Sequence, residues 1–279
     1  MSNLSVSYFF SGRHAEALKL SEETLAVRKR VHPPDHPDTL NNMTNLATNY
    51  ASLGRHADSL KLREEVLATQ KRVLPPNPSD TLVTMNNLAM TYSALDRQRE
   101  AVDLSHDTIT LAEGVHGIAH PQTLFYKWTL VELLFAAGRS AEAVPVIDEC
   151  VSRAVGKPVD LNLVPEVMKF RLRHFKTTAE SVGCRATAEM WEKLNRTDNG
   201  SLYNAACFRA VTAAVQAKTP GADAARLATE DADRAMVWLP KAIAAGYKDR
   251  AHIEADKDLD SLRGRADFQK LLASLLKEK

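Results

Sequence analysis

Reactive chemistry in this sequence has to be sought among a few histidines and aspartates and one glycine–lysine pair. His32 and His36 stand four apart, but Pro33 and Pro34 between them forbid the helix that would put both on one face. Polar loop residues, not metal ligands, are therefore expected there. Asp256, Asp258 and Asp260 imitate the start of a calcium loop. Ser261, however, holds the place of the obligatory glycine and Asp267 that of the bidentate glutamate. Gly156-Lys157 runs straight into Pro158, whereas a phosphate loop needs G-x-x-x-x-G-K-[ST] to wrap an anion in backbone N–H groups. Arg28-Lys29-Arg30 and Lys71-Arg72 fall at the ends of expected helices, where the helix dipole favours cations. No Ser-His-Asp or Cys-His pair follows from spacing. The reading is a chain with no catalytic residues, no metal and no cofactor.

The elements behind these residues repeat. HPDTLNNMTNLATNYASLGRHADSL at 36–60 recurs as PSDTLVTMNNLAMTYSALDRQREAV at 78–102 and as HPQTLFYKWTLVELLFAAGRSAEAV at 120–144. The step is 42 residues: Thr39, Thr81, Thr123; Leu46, Leu88, Leu130; Arg55, Arg97, Arg139. The same step backwards lands on Gly12-Arg13, so SYFFSGRHAEAL at 7–18 ends a fourth copy. A fixed period of this size predicts a solenoid, in which each unit buries its apolar face only against the next.

Each unit reads as a helical hairpin. Leu40, Met43, Leu46, Ala47, Tyr50 and Leu53 recur at helical spacing. Gly-Arg then breaks the helix, since glycine accepts the backbone angles of a tight turn. A second amphipathic segment follows, with Leu60, Leu62, Val66 and Leu67 in one copy. Its small position, Ala17, Ser59, Ala101 and Ala143, permits close helix approach. Proline-containing loops (HPPDHPDT, LPPNPSDT, HGIAHPQT) end one hairpin and open the next. Asp96 departs from the pattern, standing where Gly54 and Gly138 do.

At 279 residues, 44% hydrophobic and 25% charged, the chain can bury a substantial core. Sparse glycine and no strand-like alternation favour an all-α fold. A net charge of +1, from 36 basic and 35 acidic residues, argues against a nucleic-acid or anionic-membrane surface. Cys150, Cys184 and Cys207 are few, odd in number and widely spaced, as in a reduced cytoplasmic protein. No apolar run approaches the roughly 18–20 residues of a membrane span.

These motifs resemble the tetratricopeptide repeat, and the 42-residue step with HPDTLNN…NLA…Y…LGR resembles its kinesin-light-chain variety. The resemblance implies a right-handed α-solenoid acting as a non-catalytic protein-interaction module, with a peptide or protein held in a concave groove over residues 38–155. In such repeats the first helices line the groove and side-chain amides grip an extended backbone, because an amide both donates and accepts. The matching positions are Asn45 and Asn87, with Thr129 as the departure. Asn41, Thr48, Met90, Phe125, Trp128 and Glu132 share the inward columns, and Trp128 either anchors a peptide or packs against later hairpins.

Periodicity fails after about residue 155, giving an expected division into a repeat array at 1–155, a helical linker at 156–200 and a closing hairpin and helix at 201–279. A helix over 163–182, a shorter one over 184–194, a cap at Ser201, a helix over 202–217 and its partner over 224–245, kinked at Pro240, are predicted. CRATAEMWEKLNRT, LYNAACFRAV and GYKD…HI…DKDLDSLR…DFQKLL resemble the C-terminal ends of large bacterial serine/threonine kinases. That resemblance implies an alternative role as the regulatory end of a kinase, acting in cis. It agrees with a first repeat that opens in mid-helix, with Leu4 and Tyr8 matching Leu46 and Tyr50. An open end of this kind, with Phe9 and Phe10 on it, is expected to dock on a partner or self-associate.

Overall fold

The computed structural model describes residues 7–8, 11–72, 78–157 and 160–275, all of whose regular structure is helical. Leu4, Phe9 and Phe10, on which the open-end expectation rests, lie outside the described residues. The chain divides into two compact units, Met1–Val146 and Ile147–Lys279.

In the first unit the helices are α1 (His14–Val31), α2 (Pro37–Ser52), α3 (His56–Arg72), α4 (Pro78–Ala94), α5 (Gln98–His116) and α6 (Pro121–Ala136). The first residues of α7 (Ser140–Ala154) also belong to it. The second helices α1, α3, α5 and α7 begin at 14, 56, 98 and 140, keeping the 42-residue step. Their small position is fully buried in all four copies, at Ala17, Ser59, Ala101 and Ala143. A larger side chain there would hold the neighbouring helix away.

The turn inside each hairpin follows from backbone geometry. Gly12, Gly54 and Gly138 have φ of 75°, 73° and 71°, and Asp96 adopts 61° in the same place. This left-handed residue lets the next N–H reach back to a carbonyl five residues earlier: Arg13 to Tyr8, Arg55 to Tyr50 and Arg97 to Tyr92 at 2.9 Å, and Arg139 to Leu134 at 2.8 Å. Each arginine then pairs with the carboxylate three residues on, Glu16, Asp58, Glu100 or Glu142. Three of them also lie over the tyrosine that closes the first helix, at 4.2–4.3 Å from the ring. The repeated arginine is thus a clamp on the hairpin turn.

Successive hairpins are joined by bonds between residues 28 apart. Asn49 donates to Ser21 at 2.9 Å, Tyr50 to Glu22 at 2.7 Å and Tyr92 to Glu64 at 3.1 Å, while Arg63 donates to Thr91 at 2.7 Å. Leu25, Leu40, Met43, Leu46 and Val66 form one buried cluster, and Leu67, Met85 and Leu88 form the next.

In the second unit α8 (Asp160–Thr177) and α9 (Ser181–Glu192) replace the predicted helices at 163–182 and 184–194. The break comes earlier because Ala179 turns left-handed at φ 57°. Helix α10 (Asn199–Gln216) is capped by Asp198, whose carboxylate accepts the Ser201 N–H at 2.8 Å. The cap predicted at Ser201 is therefore displaced by three residues: Ser201 lies inside the helix, and its own N–H is one of the first-turn donors that Asp198 satisfies. Helix α11 (Ala224–Ala244) runs through Pro240, and α12 (Arg250–Ala255), a 3₁₀ turn (Lys257–Leu262) and α13 (Ala266–Ser274) close the chain. Leu202, Ala206, Leu239, Ile253, Leu259, Leu262 and Phe268 share their core. Cys150, Cys184 and Cys207 are all free and buried.

Candidate functional site

The eight groove residues read from the sequence all fall on the first helices α2, α4 and α6, in columns 42 residues apart. One column is Asn41, Val83 and Phe125, the next is Asn45, Asn87 and Thr129, and a third is Thr48, Met90 and Glu132. Trp128 shares its column with Thr44 and Asn86. Helix α6 packs against α4 as well as α5, so the columns continue across that boundary.

Exposure differs from one position to the next. Asn41, Met90, Phe125 and Glu132 are exposed, whereas Asn45, Thr48, Asn87 and Trp128 are half-buried. Neither the Asn45 nor the Asn87 side-chain amide has a hydrogen-bond partner among the described residues. Thr129 is buried and donates to the Phe125 carbonyl at 3.4 Å, so it is withdrawn into its own helix. Val83, Met90 and Phe125 keep 42%, 47% and 42% of their surface in solvent, which places apolar side chains around the Asn87 amide. Phe125 meets the Trp128 ring edge-on at 5.9 Å, and the Trp128 Nε1 is buried without an acceptor among the described residues. Beneath Asn87, the Arg63 guanidinium donates to its carbonyl oxygen. Burial with no carboxylate beside it pulls Arg63 down to about 10, so it remains a cation at neutral pH.

Val83 escaped the sequence reading although its column, shared with Asn41 and Phe125, was the available signal. The polar surface therefore runs from Asn41, Asn45 and Thr48 on α2 to an apolar and aromatic surface on α4 and α6. Such a face can hydrogen-bond a main chain and receive apolar side chains.

The groups weighed as cation sites are engaged otherwise. Despite Pro33 and Pro34, the His32 and His36 rings come together, stacked at 4.0 Å, and Asp38 lies close by. His36 Nδ1, however, accepts the Asp38 N–H at 3.2 Å, and the Asp38 carboxylate pairs with Arg28 at 2.8 Å. A cation would have to displace Arg28 and uncap α2. Asp256 caps the 3₁₀ turn and accepts the Tyr203 hydroxyl at 2.7 Å, Asp258 pairs with Lys176 at 2.8 Å, and Asp260 with Arg263 at 2.7 Å. Those three carboxylates point to separate partners and form no calcium loop.

Consecutive helical hairpins at a 42-residue step, closed by a left-handed glycine, define an α-solenoid. Family comparison agrees: residues 1–72, 43–109 and 126–149 match models of the tetratricopeptide repeat. These segments of the chain are tetratricopeptide repeats. Among solved structures, the chain is similar to a Podosopora anserina protein described as a kinesin light chain with nearly identical TPR-like repeats. That match has 22% identity, covers 78% of this chain and 93% of that one, and has a TM-score of 0.60. BtubC (BKLC) of P. vanneervenii matches at 13% identity over 87% of this chain and 93% of its own, with a TM-score of 0.57. A Rap protein complexed with Competence and Sporulation Factor matches at 14% over 86% and 63%, with a TM-score of 0.51. No curated protein matches the sequence. Among the described residues no helix is long and apolar enough to cross a membrane.

Proposed function

We propose that the chain is a protein-interaction module that holds an extended peptide, or an extended segment of a protein partner, across α2, α4 and α6. The observation that carries this reading is the pair of unpartnered amides, Asn45 and Asn87, one repeat apart and flanked by exposed Val83, Met90 and Phe125. An amide with no intramolecular partner can engage a ligand without breaking a bond inside the protein, and two of them 42 residues apart in sequence sit on equivalent positions of successive units. Peptide binding by the Rap protein is an analogy from the same fold. Asn41, Thr48, Trp128 and Glu132 complete the surface, with backbone contacts toward α2 and an apolar anchor between α4 and α6.

Peptides selected from a displayed random library against the purified chain provide the test. Changing both Asn45 and Asn87 to Ala should weaken the selected peptide by about 1–3 kcal/mol, the range for leaving polar partners unpaired. The melting temperature should hardly change, because both side chains are at the surface. Equal calorimetric affinity for the double variant would rule out the groove.

A further inference from the structure

The first residue before α2 and before α6 is a histidine used as a helix cap. His36 Nδ1 accepts the Asp38 N–H, and His120 Nδ1 accepts the Gln122 N–H, each at 3.2 Å. Each capping ring is stacked on a histidine four residues earlier, His32 at 4.0 Å and His116 at 4.8 Å. His32 is the C-cap of α1 and His116 the last residue of α5. Each pair therefore ties the end of one hairpin to the start of the next, at positions 84 residues, or two repeats, apart.

A histidine cap differs from the usual Ser, Thr, Asp or Asn cap in one respect. It accepts a hydrogen bond only while Nδ1 carries no proton. Protonation turns that acceptor into a donor and places a cation at the positive end of the helix dipole. It also puts like charge against the ring stacked on it. His32, His36 and His116 are half-exposed and His120 exposed, so solvent protons reach all four.

We propose that His116 and His120 form a pH-sensitive clasp between the second and third full repeats, closed when both imidazoles are neutral and opened when they are protonated. The cap needs an unprotonated Nδ1 on His120, so acid weakens this junction. The charged groups on the flanking elements are Glu113 of α5 and Lys127 of α6, and they pair with each other at 2.8 Å. Gln122 is neutral. The equivalent pair, His32 and His36, lies among more charges. Asp38 of α2 and Asp35 of the loop supply negative charge there, with Arg28 of α1 bound to Asp38 and Lys29 bound to Glu65 at 3.7 Å.

Hydrogen exchange of the full chain at pH 7.5 and 5.5, corrected for the intrinsic rate, reads the clasp directly. Protection over residues 122–124 should fall by about five-fold in acid, the equivalent of one helix cap. His120→Asn supplies an acceptor that does not titrate, so its protection should match the wild type at pH 7.5 and stay there at pH 5.5. His120→Ala should be low at both. The proposal is overturned if wild-type protection is flat, if the Asn variant falls as the wild type does, or if the Ala variant matches the wild type at pH 7.5.

Discussion

Arg209 offers the sharpest test of how the second unit is held together. Its side chain is fully buried. It grips Glu192 with two nitrogens, at 2.7 and 2.5 Å, and Asp231 with a third at 2.8 Å, joining α10 to α9 and α11. Replacing it with Met leaves two carboxylates behind, and breaking a buried pair from one side costs about 3–5 kcal/mol. The lower end applies, because neither acid is abandoned. Asp231 keeps Arg185 at 2.6 Å, and Glu192 keeps the Trp238 N–H at 2.8 Å. The expected loss is thus about 3 kcal/mol, and Arg209→Lys, which keeps the charge without the fork, should lose roughly half of that.

Trp128→Phe leaves Trp191 and Trp238 as the only indoles of the chain, and both sit in this network. The Trp191 N–H donates to the Ser201 carbonyl at 2.9 Å and the Trp238 N–H to Glu192. Urea unfolding followed by their fluorescence isolates this unit. With a denaturant slope of about 1–3 kcal/mol/M, the Met variant should unfold at a urea concentration lower by roughly 1–3 M. A shift under about 0.3 M, or one equal to that of the Lys variant, would refute the argument that the two carboxylates depend on this fork.

Two further perturbations act on the backbone. Asp96 holds the left-handed turn that Gly12, Gly54 and Gly138 occupy elsewhere, so Asp96→Gly should raise the thermal stability of the first unit by about 0.5–1 kcal/mol, measured by calorimetry. A Cβ on Gly183 would lie 2.2 Å from the Phe175 ring, over which Arg171 is stacked at 5.0 Å. Gly183→Ala should therefore cost about 1–3 kcal/mol, and an unchanged urea midpoint would show that Phe175 swings aside freely.

Much of the repeat array was legible because its signals are local and recur. A left-handed turn favours glycine and a close helix crossing needs a small residue, and both positions recur every 42 residues, at Gly12, Gly54, Asp96 and Gly138 and at Ala17, Ser59, Ala101 and Ala143. The columns Asn41–Val83–Phe125 and Asn45–Asn87–Thr129 follow the same period, and the Asn45 and Asn87 amides stand out because nothing among the described residues engages them. The second unit carries no period, and its boundaries slipped accordingly: Ala179 breaks a helix without any glycine or proline to announce it. The stacking of His32 on His36 was hidden because the prolines between them exclude a helix but not a return of the chain. Arg209 left one trace, a cation in the middle of the otherwise small and apolar LYNAACFRAV, and its partners lie 17 and 22 residues away.

The junctions between repeats show why equal spacing does not mean equal strength. At the first junction Asn49 donates to Ser21, and at the second Arg63 fills the equivalent place and donates to Thr91. At the third the pair is Ser105 and Leu133, and the Ser105 hydroxyl is buried with no partner among the described residues. Leucine cannot answer a hydroxyl, so this junction lacks the bond the other two share. What holds it instead lies nearer the loop: Lys127 with Glu113 at 2.8 Å, the Thr123 hydroxyl on the Gly117 carbonyl at 2.8 Å, and the His120 cap. In a solenoid, stability is a sum of unit and interface terms, and an interface that relies on loop-side contacts is the one a proton at that loop can weaken. The apolar end of the proposed groove, Phe125 and Trp128, stands on the helix beyond that interface. Acid that uncaps α6 should therefore act on the anchor end of the peptide site.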